Sequence, residues 1–206
     1  MWRVLVLCLC SGLLSCSEPP PVEFRNTNIG GVEIGSSLAA FKDHSGRAIT
    51  LDEFEGKAVI VFFGYTSCPD VCPTTLARLA ETMKRLGAEA ERVQVLMVTV
   101  DPEHDTPEKL AAYMTAFNPS FLGLYGDQTA TEAAAKAFKV FVRAETPTGH
   151  EHVHANATEE AVTPPRIDHS TGSYVFDPAG KIRLYVRDDA SVEAMVNDLK
   201  RLLAGL

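Results

Sequence analysis

Two stretches of this chain are apolar with little or no alternation, Ala58-Val59-Ile60-Val61-Phe62-Phe63 and Val93-Gln94-Val95-Leu96-Met97-Val98-Thr99-Val100. Runs of this kind are expected of central strands covered on both faces. Between them, from Pro73, the apolar positions Leu76, Leu79, Met83 and Leu86 recur at helical spacing, with Arg78, Glu81, Lys84 and Arg85 on the other side. A second helix is predicted from Thr106-Pro107-Glu108 to about Ala116, with a capping threonine and proline at the first helical position. Thr129 to Phe138 is alanine-rich and reads as helix, with Lys139 to Arg143 a candidate strand. Leu38 to Phe41 and Ala48 to Leu51 flank Asp43-His44-Ser45-Gly46 as a hairpin, followed by one helical turn at Asp52 to Gly56. Ser173 to Phe176 and Lys181 to Val186 flank Asp177-Pro178-Ala179-Gly180 as another. The last helix sets Val192, Met195, Val196, Leu199, Leu202 and Leu203 on one face.

This order predicts an α/β fold, a central mixed sheet flanked by helices with an N-terminal β-hairpin extension. Sites in such sheets form outside the carboxyl ends of the strands. The first central strand delivers Cys68 and Cys72 to that rim, and the second delivers Asp101.

The ends of the chain follow different rules. Met1-Trp2-Arg3 and the apolar run Val4 to Leu14 have the length of a secretory signal, short of the ~20 residues of a membrane-spanning helix. The run closes on Leu13-Leu14-Ser15-Cys16, which resembles the lipobox of bacterial lipoproteins and implies lipidation of Cys16. Ser17-Glu18-Pro19-Pro20-Pro21 then reads as an extended tether. Residues 1–15 are thus expected to be a signal peptide, 16–30 a lipidated N-terminus and tether, and 31–206 one domain. The expected location is the bacterial cell envelope, with the protein exported and membrane-anchored. With 27 acidic and 19 basic residues, a formal charge of −8, and neither a basic run nor an aromatic stripe, no nucleic-acid partner is expected.

Removal of the signal and blocking of Cys16 leave Cys68 and Cys72 as the thiols. Two cysteines make no disulfide framework, and a close pair in an exported protein is a redox couple or a metal site. They stand four residues apart where a strand gives way to a helix. On one helix face such positions are ~5–6 Å apart at Cβ, close enough for both sulfurs to reach one soft ion or each other. The dipole and free N–H groups at a helix start favour thiolate.

Gly64-Tyr65-Thr66 leading into Cys68-Pro69-Asp70-Val71-Cys72-Pro73, then Thr99-Val100-Asp101-Pro102 with Asp105-Thr106-Pro107, then Asp168-His169-Ser170 with Asp177-Pro178 and Gly180, resemble the Sco family, also called SenC or PrrC. The resemblance runs from about Leu38 to Leu203. It implies a thioredoxin-like fold and a copper chaperone needed to assemble the dinuclear copper centre of cytochrome c oxidase. Carried over residue by residue, it places the metal ligands on Cys68, Cys72 and His169, with Asp101 and Asp168 beside them without binding. The chemistry agrees, since two thiolates suit Cu(I) and an added imidazole makes a site that also holds Cu(II). The implied partners are the copper domain of oxidase subunit II, a copper donor chaperone, a thiol reductant, and the membrane through the lipid.

Glu145 to Arg166 is longer than the family's usual connection and carries His150, His152 and His154, an alternating set that reads either as part of a solvated polar loop or as an auxiliary copper or zinc site. Two rival functions remain open at this level. A thiol-disulfide oxidoreductase would use Cys68 as nucleophile and Cys72 as resolving thiol without needing His169, and a copper or redox sensor would signal to a membrane partner.

Overall fold

The computed structural model describes residues 23–34, 38–144 and 167–205. The expected signal segment, Cys16 and the three histidines at 150, 152 and 154 lie outside the described residues. No helix among the described residues is long and apolar enough to cross a membrane.

The two unbroken apolar runs become the centre of the sheet: β4 (Ala58–Gly64) and β5 (Val93–Thr99), parallel and buried along their whole lengths. Both faces of β4 are covered. Ala58, Ile60 and Phe62 pack with Leu76, Leu79 and Met83 of α1 (Val71–Leu86), Leu110 and Met114 of α2 (Pro107–Phe117), and Met195, Leu199 and Leu202 of α4 (Val192–Leu203). Val59, Val61 and Phe63 face Ala134 and Ala135 of α3 (Gln128–Ala137), Phe138, and the hairpin residues Phe41 and Ile49. Period-two alternation sends neighbouring residues to opposite sides, so only an uninterrupted apolar run satisfies both layers.

Around this centre the sheet is completed by β1 (Thr27–Asn28), β2 (Phe41–Asp43), β3 (Ala48–Ile49), β6 (Leu122–Tyr125), β9 (Ser173–Phe176) and β10 (Ile182–Val186), in the order β1-β10-β9-β4-β5-β6-β2-β3. β4, β5 and β6 are parallel, and β9 runs antiparallel to β4. A separate two-stranded ladder pairs β7 (Val142–Ala144) with β8 (Ile167–His169). The mixed sheet and its flanking helices follow the expected fold class.

The N-terminal hairpin forms, with shorter strands than predicted, and β2 adds antiparallel to β6. Gly46 adopts φ +87°, and the buried Asp43 carboxylate holds the turn by accepting from the Ser45 and Arg47 N–H groups, the Ser45 hydroxyl and the Arg47 guanidinium. Two features go beyond the pattern. β6 is only four residues long, and its Gly123 lies against α2, where an added Cβ would stand 3.0 Å from Leu110 Cβ. The predicted tether also ends sooner than residue 30. Asp198 is buried on α4, where its carboxylate accepts from the N–H groups of Arg25 and Asn26 and from the Asn26 amide, and Thr27–Asn28 join the sheet beside β10.

Candidate metal centre

Strand β4 ends at Gly64 and α1 begins at Val71, so Cys68 sits in the intervening loop and Cys72 in the first helical turn. The pair therefore does not lie on one helix face as the spacing suggests, yet the sulfurs still converge. The helix start explains how. Thr106, Asp127 and Ser191 cap α2, α3 and α4 through side-chain oxygens, but Asp70, at the same position of α1, makes no such bond. The Cys68 sulfur takes that place, accepting from the Cys72 N–H at 3.5 Å and from the Asp70 N–H. A soft anion is thus held by the free amides and dipole of a helix N-terminus.

His169 arrives from the other direction, at the end of β8. The Sγ atoms of Cys68 and Cys72 and a ring nitrogen of His169 all lie within 4.8 Å of one another, with Cys72 Sγ 3.8 Å from His169 Nε2. His169 Nδ1 donates to the Ser170 carbonyl at 3.0 Å. A carbonyl only accepts, so the proton of the neutral ring is on Nδ1 and the lone pair on Nε2 points at the sulfurs. This is the tautomer a metal ligand needs. Cys72 is buried, whereas Cys68 and His169 are half-buried at the rim.

The two thiols divide their roles. Hydrogen bonding from the Cys72 thiol, opposed by burial and helped by the Cys72 and Asp70 N–H groups and by His169, pulls the Cys68 pKa down to about 5. The same bond, with burial, pushes Cys72 up, so it holds its proton. At neutral pH the metal-free pair is one thiolate and one thiol, and ion binding must release the Cys72 proton. Alkylation of the reduced chain tests this assignment. Iodoacetamide should label Cys68 at a rate flat above about pH 6 that falls as pH drops through about 5, with Cys72 spared in peptide mapping. A rate still climbing through pH 8–9 would contradict it.

The carboxylates are arranged differently from expectation. Asp101 is buried, but its Oδ1 pairs with His104 Nδ1 at 2.7 Å, and its Oδ2 has no hydrogen-bond partner among the described residues. Asp168 is exposed: β8 alternates, and His169 takes the face toward the sulfurs. The residue that reaches the cysteine loop is Asp105. Its buried carboxylate accepts from the Thr66 N–H and hydroxyl and from the Thr99 hydroxyl at 2.6 Å, so it staples the loop to the end of β5. Burial pushes its pKa up. The sequence offered one signal for this, an acid six residues after a strand-end threonine. Met83, Met97 and Met195 are core residues, as their periodicity predicts.

A family model described as SCO1/SenC matches residues 36–204. The SCO2-like protein RC0895 of Rickettsia conorii is 30% identical over 190 residues, 91% of this chain and 87% of that protein. Human mitochondrial protein SCO2 homolog is 32% identical over 164 residues, 79% of this chain and 57% of that one. Among solved structures, copper-bound ScoI of Bradyrhizobium japonicum superposes with a TM-score of 0.66 at 30% identity, covering 79% of this chain and 95% of its own. The chain belongs to the SCO1/SenC family, and its fold is thioredoxin-like.

Proposed function

We propose that this SCO1/SenC protein is a copper chaperone for cytochrome c oxidase assembly, holding one copper ion through Cys68, Cys72 and His169 and delivering it to the copper domain of oxidase subunit II. The observation that carries the reading is the convergence of two sulfurs and an imidazole lone pair within 4.8 Å at the edge of the fold. Two thiolates satisfy Cu(I), and the imidazole adds the borderline nitrogen donor that Cu(II) prefers. The copper-bound relative from Bradyrhizobium supports the same cargo.

The geometry also supports an order for the transfer. Cys68 is half-exposed and stable as a thiolate, so an incoming partner thiolate displaces it first, and Cys68 leaves without needing a proton. Cys72, buried beneath it, lets go last and takes a proton back. Lipid on Cys16 would confine this exchange to the envelope membrane surface, where more than one acyl chain is needed for stable anchoring.

One observation favours a second activity at the same site. A thiolate paired with a protonated neighbour is the arrangement of a thiol-disulfide reductant, with Cys68 attacking and Cys72 resolving. That chemistry has no use for His169, and this separates the two readings. Titration of the reduced chain should give one equivalent of tight copper. His169→Ala should weaken Cu(II) by roughly tenfold or more and Cu(I) much less, because the thiolates alone suit the softer ion. Equal binding of both ions by His169→Ala would remove the histidine from the site and leave the reductase reading.

A further inference from the structure

The histidine is the least anchored of the three ligands. It ends a three-residue strand whose ladder partner, β7, is equally short, and an isolated pair of this size is marginal by itself. Phe141 and Ser170 extend the ladder by one step, with the Ser170 N–H donating to the Phe141 carbonyl and the Phe141 N–H to Ser170 Oγ, both at 3.0 Å. None of these contacts ties β8 to the cysteines.

Tyr65 does. Its backbone belongs to the cysteine loop: its carbonyl accepts from the Cys68 N–H at 3.3 Å, and its N–H donates to the Cys72 sulfur. Its side chain, buried in the core, belongs to the histidine. The hydroxyl oxygen accepts from the Ile167 N–H at 3.2 Å, and the ring meets the His169 imidazole edge-on with centroids 6.0 Å apart. One residue thus touches the environment of all three ligands.

We propose that Tyr65 is a positioning residue that sets His169 against the cysteine pair and so tunes the site toward Cu(II). The proposal rests on the copper reading above. Backbone contacts to the sulfurs survive substitution of the side chain, whereas the Ile167 bond depends on the phenolic oxygen. Tyr65→Phe keeps the ring and the backbone and removes the hydroxyl that holds Ile167, and the His169→Ala background isolates the part of its effect that travels through His169.

The experiment is copper titration and Cu(II) electron paramagnetic resonance on reduced wild type, Tyr65→Phe, His169→Ala and the double variant. Ile167→Pro serves as an independent control that removes the donor of the same bond, at the first position of a strand, where proline is tolerated. Loss of one such hydrogen bond corresponds to about fivefold in affinity. Tyr65→Phe and Ile167→Pro should each weaken Cu(II) by about fivefold and broaden its hyperfine pattern, while Cu(I) affinity stays within about twofold. In the His169→Ala background, Tyr65→Phe should change neither ion, because its route is gone. Equal losses in both backgrounds, or a Cu(II) spectrum and affinity unchanged in Tyr65→Phe, would overturn the assignment. Wild type that binds no copper would overturn the copper reading itself, and this inference with it.

Discussion

Replacing Gly64 by alanine will strip the chain of tight copper binding while leaving the sheet folded. A Cβ at this position would stand 2.9 Å from Cys72 Sγ, 3.2 Å from Phe62 Cε2 and 3.4 Å from Met97 Sδ. The first distance is closer than atoms tolerate, so something must move. The strand is held at this point by β5, where Gly64 pairs with Thr99 and its carbonyl accepts from the Val100 N–H. Helix α1 cannot give either, because Leu76, Leu79 and Met83 are packed in the core beneath it. What remains is the Cys72 side chain, whose rotation would carry the sulfur away from His169 Nε2. Overpacking of this kind costs about 1–3 kcal/mol of stability, and mispositioning a ligand costs roughly 10–100-fold or more in metal affinity. Copper titration beside thermal unfolding would show the two effects separately. Wild-type affinity in Gly64→Ala would mean the sulfur has room that the packing denies, and the ligand geometry would need revision.

That glycine shows where local reading of the chain stops. The centre of the fold was legible because burial on both faces demands the unbroken runs at Ala58–Gly64 and Val93–Thr99, and because Gly46 and Gly180 mark turns that require positive φ. β6 was not legible. Its four residues include a glycine chosen for contact with Leu110 and Met114, and no period shows in so short a run. Asp198 was missed for a related reason, since a carboxylate on a helix reads as exposed until a distant backbone at Arg25 and Asn26 supplies its donors.

The site divides the same way. Cys68 and Cys72 announce themselves by spacing, and His169 was reachable only through the resemblance, because nothing near it in the chain points to a sulfur 97 residues away. The carboxylates were the hardest. Asp101 and Asp168 sit in the right motifs, but hydrogen-bond partnership is a three-dimensional property, and it falls to Asp105, which reaches back 39 residues to Thr66. Loop and strand end are thereby fixed by one acid whose local motif marks the strand-end threonine and the coming helix but not the distant loop it holds.

Oxidation of the cysteine pair will abolish tight copper uptake reversibly. Cys68 and Cys72 already share a proton, with both sulfurs inside the 4.8 Å cluster, so an added two-electron oxidant such as diamide need only draw them to ~2.0 Å. One thiolate and one thiol become a disulfide, releasing one proton and passing two electrons to the reagent. The product has no anionic sulfur, and metal binding requires deprotonated thiols. Of the three clustered ligands only His169 then remains, a single neutral donor and too little for tight binding. Stability should hardly respond, because a link across four residues closes too short a loop to constrain the unfolded chain much. The expected result is a thermal midpoint within a few degrees of the reduced form, by the usual relation of small stability changes to midpoint shifts. Beside it, the one tightly held equivalent of copper is lost on dialysis and returns with reductant. An oxidised sample that still bound one equivalent at full affinity would show that the primary ligands lie elsewhere. His150, His152 and His154 would then be the residues to replace.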